Sequence, residues 1–241
     1  MKLPSISSPD ICFKLESGTS NIGEDGFASF EIRTYDNIGT YNGAYVSGLR
    51  NGEGTFTWND GSVYIGEWSD DCIEGEGTYT SKNGIIMEGE FFGNSFYSGT
   101  VTIKKSGNTY IYSVKSGDYT KNITIKYSNG CKYSGAYSSG KINGNGTMEY
   151  KNGDKYKGNW VKGKRSGTGK YTWANGDNYS GKWKNDKMNG KGTYSYNKNS
   201  KGKTLKGSFV DNKPSGTLKY TTRKGKIYTT TWKKGKCVSV K

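Results

Sequence analysis

The sequence predicts an all-β chain of consecutive antiparallel hairpins laid out as a single-layer sheet. Three observations carry that prediction. The first is a unit of 23 residues that recurs along most of the 241-residue chain, clearest in Tyr156–Asn178, YKGNWVKGKRSGTGKYTWANGDN. A fixed period of about 20–50 residues marks a repeat architecture. The second is alternation within the unit. The third is composition: apolar residues make up 31% and mean hydropathy is -0.87, low for a compact sandwich but sufficient for one sheet with an aromatic stripe on one face.

Counting Tyr156 as position 1, glycines stand at positions 3, 8, 12, 14 and 21 (Gly158, Gly163, Gly167, Gly169, Gly176). Aromatics stand at positions 5, 16 and 18 (Trp160, Tyr171, Trp173). Positions 1, 3 and 5 alternate with polar residues, and so do 14, 16 and 18. Period two is the strand signal, because successive side chains point to opposite faces. Each unit is therefore two strands. Asn175-Gly176 is the expected tight hairpin turn, since both residue types tolerate positive φ. The run Gly163–Gly167 is the expected second, longer turn. Glycine at positions 3 and 14 leaves room for an aromatic ring from a neighbouring strand to lie across the backbone. Rings then stack along the sheet, each pair adding about 0.5–1.5 kcal/mol beyond area burial.

The pattern resembles the MORN (membrane occupation and recognition nexus) repeat, whose signature is close to YxGxWxxGxxxGxGxxxxxxGxx. The resemblance implies an elongated β-solenoid of hairpins, which the alternation reaches independently. Clear copies run Tyr41–Val63 and Tyr64–Ile86, the latter with Asp71 at position 8. Copies at 87–109 and 110–132 are degenerate; in the second, Tyr112 falls where glycine is expected. The signature returns at Tyr133–Lys155, Tyr156–Asn178 and from Tyr179 to about Thr204. A further copy runs from Leu205 to about Ile227, with Pro214 in its middle turn. Residues 1–40 read as an atypical N-terminal cap, with Phe27, Phe30 and Ile32 in a first strand pair, and 228–241 as a closing half-repeat. Arrays need such protected ends. The 41–227 array completes about eight units and, at ~4.8 Å per strand, roughly 80 Å of sheet.

The chain has no histidine, which removes imidazole acid–base chemistry, His-based triads and most zinc sites. Asp70/Asp71 and Glu74/Glu76 are the remaining carboxylate pairs, read as a solvated face. The Asp after each hairpin glycine (Asp154, Asp177) stands alone, whereas calcium takes about 6–8 oxygens. No metal or cofactor is expected, and no enzymatic activity. Cys12, Cys72, Cys131 and Cys237 are far apart in sequence; a linear array keeps them separate, so free thiols and a reducing compartment are expected. MKLPSISSPD has no apolar run, so no signal peptide or membrane anchor is read there.

Charge is more informative. Residues 1–120 hold 8 Lys and Arg against 16 Asp and Glu, a net of -8, and residues 121–241 hold 28 against 5, a net of +23. Fields of one sign steer partners of the other. Lys141, Lys162, Lys164, Arg165, Lys184, Lys187 and Lys213 fall in equivalent middle turns and are expected to form a basic ridge for an acidic partner or lipid. Tyr156, Trp160, Tyr171, Trp173, Tyr179 and Trp183 would line a groove if the sheet curls; internal packing is the preferred reading of these rings.

The expected function is a non-catalytic scaffold for protein–protein assembly. The resemblance implies cytoskeletal, ciliary or membrane-associated complexes and a cytoplasmic location. The alternative is direct binding of anionic phospholipid membrane through the basic half, purely electrostatic and salt-sensitive. The resemblance also implies a homodimer through array ends, for which the opposite charges of the halves favour an antiparallel or head-to-tail contact. Nucleic acid ranks below both, since the repeat already explains the aromatics and no nucleic-acid motif is present.

Overall fold

The structure is a computed structural model and describes residues 28–241. Phe27, Cys12 and most of the expected N-terminal cap lie outside the described residues. These form nineteen strands and no helix. They fall into two units, one ending at Thr120 and the other running Lys121–Lys241, divided inside the degenerate fourth repeat.

The first unit holds β1 (Ala28–Tyr35), β2 (Gly39–Val46), β3 (Leu49–Trp58), β4 (Val63–Ser69), β5 (Cys72–Thr80), β6 (Ile86–Phe92), β7 (Ser95–Lys105) and β8 (Asn108–Lys115). β9 (Asp118–Lys126) carries the boundary. The second unit continues with β10 (Lys132–Ser138), β11 (Lys141–Glu149), β12 (Lys155–Val161), β13 (Lys164–Thr172), β14 (Asn178–Lys184) and β15 (Lys187–Ser195). It closes with β16 (Gly202–Val210), β17 (Lys213–Thr222), β18 (Ile227–Lys233) and β19 (Lys236–Val240). Consecutive strands pair antiparallel from β1 through to β8, and again from β9 through to β19. The closing half-repeat is thus a hairpin, β18–β19, rather than one strand.

The period-two pattern sets the faces. In β4, Tyr64, Gly66 and Trp68 are buried while Ile65 and Glu67 face water. The position-1 tyrosines Tyr41, Tyr64, Tyr133, Tyr156 and Tyr179 are fully buried. Each lies across its own repeat's glycine pair: a Cβ on Gly158 would meet Tyr156 Oη at 2.8 Å, and one on Gly169, across the strand gap, would meet Tyr156 Cζ at 2.5 Å. The phenol then donates to the position-4 carbonyl, Tyr156 Oη to Asn159 O at 3.0 Å. Position-5 indoles join repeats: Trp183 Nε1 donates to the Gly169 carbonyl at 3.0 Å, and its ring sits edge-on to Tyr156 at 5.3 Å.

The two turns exchange the roles the sequence suggested. The turn inside each repeat is the tight one: Lys162 and Gly163 have φ of 49° and 84°, and Asn185 and Asp186 have 48° and 68°. Two successive positive φ values match the right-handed twist of a hairpin. Gly167, at φ 69°, belongs to β13, in the bulge where the β12–β13 register steps between Gly158 and Trp160. At Asn175-Gly176 only the glycine has positive φ, at 90°. Gly176 N–H donates to Trp173 O at 2.9 Å and Trp173 N–H to Asp177 O at 2.9 Å, giving a longer turn.

Position 8 ties neighbouring repeats together. Asp71 N–H donates to Arg50 O at 3.0 Å, and its Oδ1 accepts the Arg50 N–H and Nε–H at 2.9 Å each. Asp186 does the same for Arg165. Asn94 and Asn212 replace aspartate where position 10 is Ile73 or Met188, each accepting that residue's backbone N–H. Pro214 occupies position 10 inside β17, not the turn, which is Asp211-Asn212. A proline offers no N–H, and the next repeat places Gly235, without a side-chain acceptor, at position 8.

Two further expectations change. In the fourth repeat Val101 pairs with Tyr112 and Gly99 with Val114, so buried Tyr112 takes the first position and Val114 the glycine position. The cause is the β7–β8 connection: ten residues separate paired Val101 and Tyr112, against seven between Phe56 and Tyr64 or Tyr171 and Tyr179, and this outweighs a β6–β7 bulge one residue shorter than its counterparts. In β1, Phe30 and Ile32 are 73% and 69% exposed. The register with β2 instead turns Glu31, Arg33 and Tyr35 inward, where Arg33 lies 4.0 Å over the Tyr45 ring and Tyr35 Oη meets Tyr45 Oη at 2.9 Å.

Candidate functional site

The repeat places lysine at one structural position in the second unit. Lys141, Lys164, Lys187 and Lys213 are each the first residue of the second strand of a hairpin, and Lys236 is the fifth of the series. All five are exposed. Equivalent residues are two strands apart, so the side chains recur about every 10 Å along one margin. Lys187 pairs with Asp211 at 3.2 Å. In the first unit the same position holds Leu49, Cys72 and Ser95. Counting position 9 through to the closing half-repeat is the signal that would have added Lys236 from sequence.

The other predicted ridge residues divide. Lys162 sits in the tight turn beside Lys164, and Lys184 ends β14 opposite Lys187. Arg165 leaves the ridge. Its side chain is only 19% exposed, its Nη2 donates to the Asp186 carbonyl at 2.9 Å, and its guanidinium lies 4.8 Å from the Trp183 ring centre. It is a clamp between repeats.

The six predicted groove aromatics divide too. Tyr156, Trp160, Tyr179 and Trp183 are buried at 0–5% exposure and form the packing column. Tyr171 and Trp173 are half-buried and belong to a second row, continued by Tyr194 at 5.2 Å from Trp173 and Tyr196 at 5.0 Å from Tyr194. Asp177 anchors that row, accepting Tyr194 Oη at 2.7 Å and Asn197 N–H at 2.6 Å. Burial pushes the Asp177 carboxyl up, but these hydrogen bonds and those of Asn175 together outweigh it and leave it below its ordinary value. Asp154 does the same for Tyr171 and Ala174 one repeat earlier. Both aspartates are thus structural tethers. Burial likewise pushes the Tyr179 phenol up to about 12.

Cys72, Cys131 and Cys237 are free thiols. Among the described residues no group of three or more Cys, Asp and Glu could hold a metal. No helix among them is long and apolar enough to cross a membrane.

A family model described as MORN repeat matches five segments, residues 41–63, 64–86, 133–155, 156–178 and 179–201. A comparison with curated proteins finds no match. Among solved structures the chain is similar, at 12% identity and a TM-score of 0.27, to the TCP domain of Drosophila melanogaster SAS-4 (dCPAP), solved with a proline-rich motif of Ana2 (dSTIL); 78% of this chain and 88% of that one are covered. It is similar to streptogramin B lyase at 14% identity and a TM-score of 0.15, over 85% of this chain and 59% of that one. Virginiamycin B lyase from Staphylococcus aureus stands at 13% identity and 0.15, over 88% and 72%. Likenesses this slight carry no argument.

Proposed function

The chain is a MORN-repeat protein, and from that premise we propose that it is a non-catalytic scaffold that docks an acidic protein partner on the lysine ridge of its second unit. The supporting observation is the row itself. Five exposed lysines recur at one position of five consecutive hairpins, and only Lys187 is in an ion pair. A rigid row with a fixed pitch suits a partner whose carboxylates are also spaced regularly. The proposed place of action is the cytoplasm, at a cytoskeletal or membrane-associated assembly.

The same row favours a second reading, an anionic membrane surface, because five exposed lysines along one margin can approach a bilayer together at about 1 kcal/mol each. One experiment separates the two. The intact protein and a Lys141/Lys164/Lys187/Lys213/Lys236→Gln variant are tested against poly-glutamate, and against vesicles with and without anionic lipid, across a salt series. Poly-glutamate binding that needs the five lysines supports the protein-partner reading. Binding to anionic vesicles alone, persisting at about 0.15 M salt, moves the membrane reading first. Wild-type behaviour of the variant in both assays removes the ridge from either role.

A further inference from the structure

We infer that the solvent face of the second unit docks on the solvent face of the first unit of a second copy of this chain. This rests on the scaffold reading and names one partner. The contact lies on the outer face of the sheet, away from the aromatic column. In the second unit β12 to β17 all present exposed lysines there, among them Lys157, Lys170, Lys182, Lys191, Lys206 and Lys219. Lys157 stands directly opposite Lys170, and Lys206 opposite Lys219. In the first unit β3 to β6 each present a glutamate on the same face. Glu53 stands opposite Glu67, and Glu76 opposite Glu90.

Like charges directly opposite each other on paired strands are destabilising. Both units nevertheless carry them. None of these ten residues forms an ion pair, whereas six ion pairs occur elsewhere among the described residues. β12–β17 carry no carboxylate on this face, and β3–β6 carry no lysine or arginine on it, Arg50 of β3 being buried on the other side. Each face therefore repels itself and lacks a counter-charge.

The two faces also match in pitch. Both derive from the same 23-residue unit, so both place charges on successive strands about 4.8 Å apart. A lysine lattice laid on a glutamate lattice can engage several pairs at once. A partner with unrelated spacing engages fewer.

Size sets the strength. Four strands at about 4.8 Å and eight residues at about 3.3 Å give a patch of about 20 by 25 Å, or about 1,000 Å² over both partners. That is at the low end for a specific interface, so the association is weak and governed by salt. Because the two faces differ, the contact is heterologous, and copies can close as a pair or extend as a chain.

The test is sedimentation velocity of the intact chain over a concentration series, at ionic strengths of about 0.01 M and about 0.15 M, where the Debye length falls from about 30 Å to about 8 Å. Self-association is expected at the lower salt and should weaken about tenfold or more at the higher. Glu53/Glu67/Glu76/Glu90→Lys should abolish it, and so should Lys157/Lys170/Lys182/Lys191→Glu. Mixing the two variants should restore it. So should combining both sets in one chain, which leaves the net charge at +15. Charge reversal of Lys141, Lys164, Lys213 and Lys236 should leave it intact. Circular dichroism of each variant checks that the sheet persists. A monomer at low salt, no restoration on mixing, or equal loss from the ridge reversal would overturn the pairing. A chain that stays monomeric yet binds poly-glutamate through its ridge loses this inference alone; the scaffold reading would then stand.

Discussion

Replacing Asp71 by alanine should destabilise the chain far more than the same change at Asp186, although both aspartates hold the same position of the repeat. In each case one carboxylate oxygen accepts the backbone N–H and the Nε–H of an arginine in the preceding repeat. The surroundings differ. The Arg50 side chain is 2% exposed, and Arg165 is 19% exposed with its aspartate at 44%. Alanine at 71 takes the Asp71 carboxylate away from a buried guanidinium and from the buried Arg50 N–H that it accepts. Breaking a buried pair from one side costs about 3–5 kcal/mol. At 186 water reaches both groups, and the loss should be about 1–2 kcal/mol. Urea unfolding followed by tryptophan fluorescence reads the difference as a shift in midpoint at constant slope; the Trp68 ring, 4.4 Å from the Arg50 guanidinium, is a local reporter. The double change Arg50→Ile with Asp71→Asn recreates the native Ile73–Asn94 pair, in which Asn94 Oδ1 accepts the Ile73 N–H at 2.7 Å. It should recover stability to within about 1 kcal/mol of wild type, since burying no charge removes the desolvation cost. Equal losses at 71 and 186, or a double variant no better than Asp71→Ala, would refute the reasoning.

Two other outcomes test the packing column. Gly169→Ala drives a methyl into the Tyr156 ring and should cost about 1–3 kcal/mol as overpacking. Gly163→Ala meets open space but a φ of 84° and should cost about 1–2 kcal/mol from backbone strain alone. Adding Tyr156→Phe removes the hydroxyl but keeps Cζ and Cε2 in the path of the methyl, so it should ease the first only in part and leave the second unchanged in thermal melts. At alkaline pH, burial holds Tyr41, Tyr133 and Tyr179 at about 12, above the unfolded value of about 10. A folded-state pKa raised in this way gives stability that is full below about pH 10 and is lost as pH rises towards about 12. Tyrosinate absorbance should therefore rise in two waves, the later one coinciding with loss of the β-sheet signal. A single wave near pH 10 in folded protein would show that these phenols are not shielded.

The hairpins were legible because their determinants are local. Period-two alternation assigned Tyr156, Gly158 and Trp160 to one face, and the structure buries Tyr156 and Trp160 there. The glycine pair needed only one step more, since a residue without Cβ on alternate positions implies a ring above it. The turns were not legible, because Asn-Gly serves two geometries and what decides between them is the neighbouring repeat. Asp177 draws its loop towards Tyr194 and Asn197 of the next unit, an interaction that a single repeat does not contain. The shifted register at Tyr112 comes from lengths that a fixed period does not contain: a β7–β8 connection three residues longer than its counterparts outweighs a β6–β7 bulge one residue shorter and moves the first position from 110 to 112.

The charged surfaces separate by a similar logic. A residue number within the repeat fixes the strand, the face and the row, so lysines that look scattered along the chain become ordered once counted by position. Position 9 gathers Lys141, Lys164, Lys187, Lys213 and Lys236 on a hairpin margin. Positions 2, 4, 13 and 15 gather the outward lysines of β12–β17 and the glutamates of β3–β6. Arg165 shows where counting by position fails. It neighbours Lys164 in sequence, but position 10 points to the aromatic face, and an acceptor at position 8 of the next repeat draws it in. Position 10 therefore serves cohesion between repeats, whereas positions 2, 4, 9, 13 and 15 are free to vary in charge without disturbing the column. That independence is what lets one fold carry a net of -8 on one unit and +23 on the other.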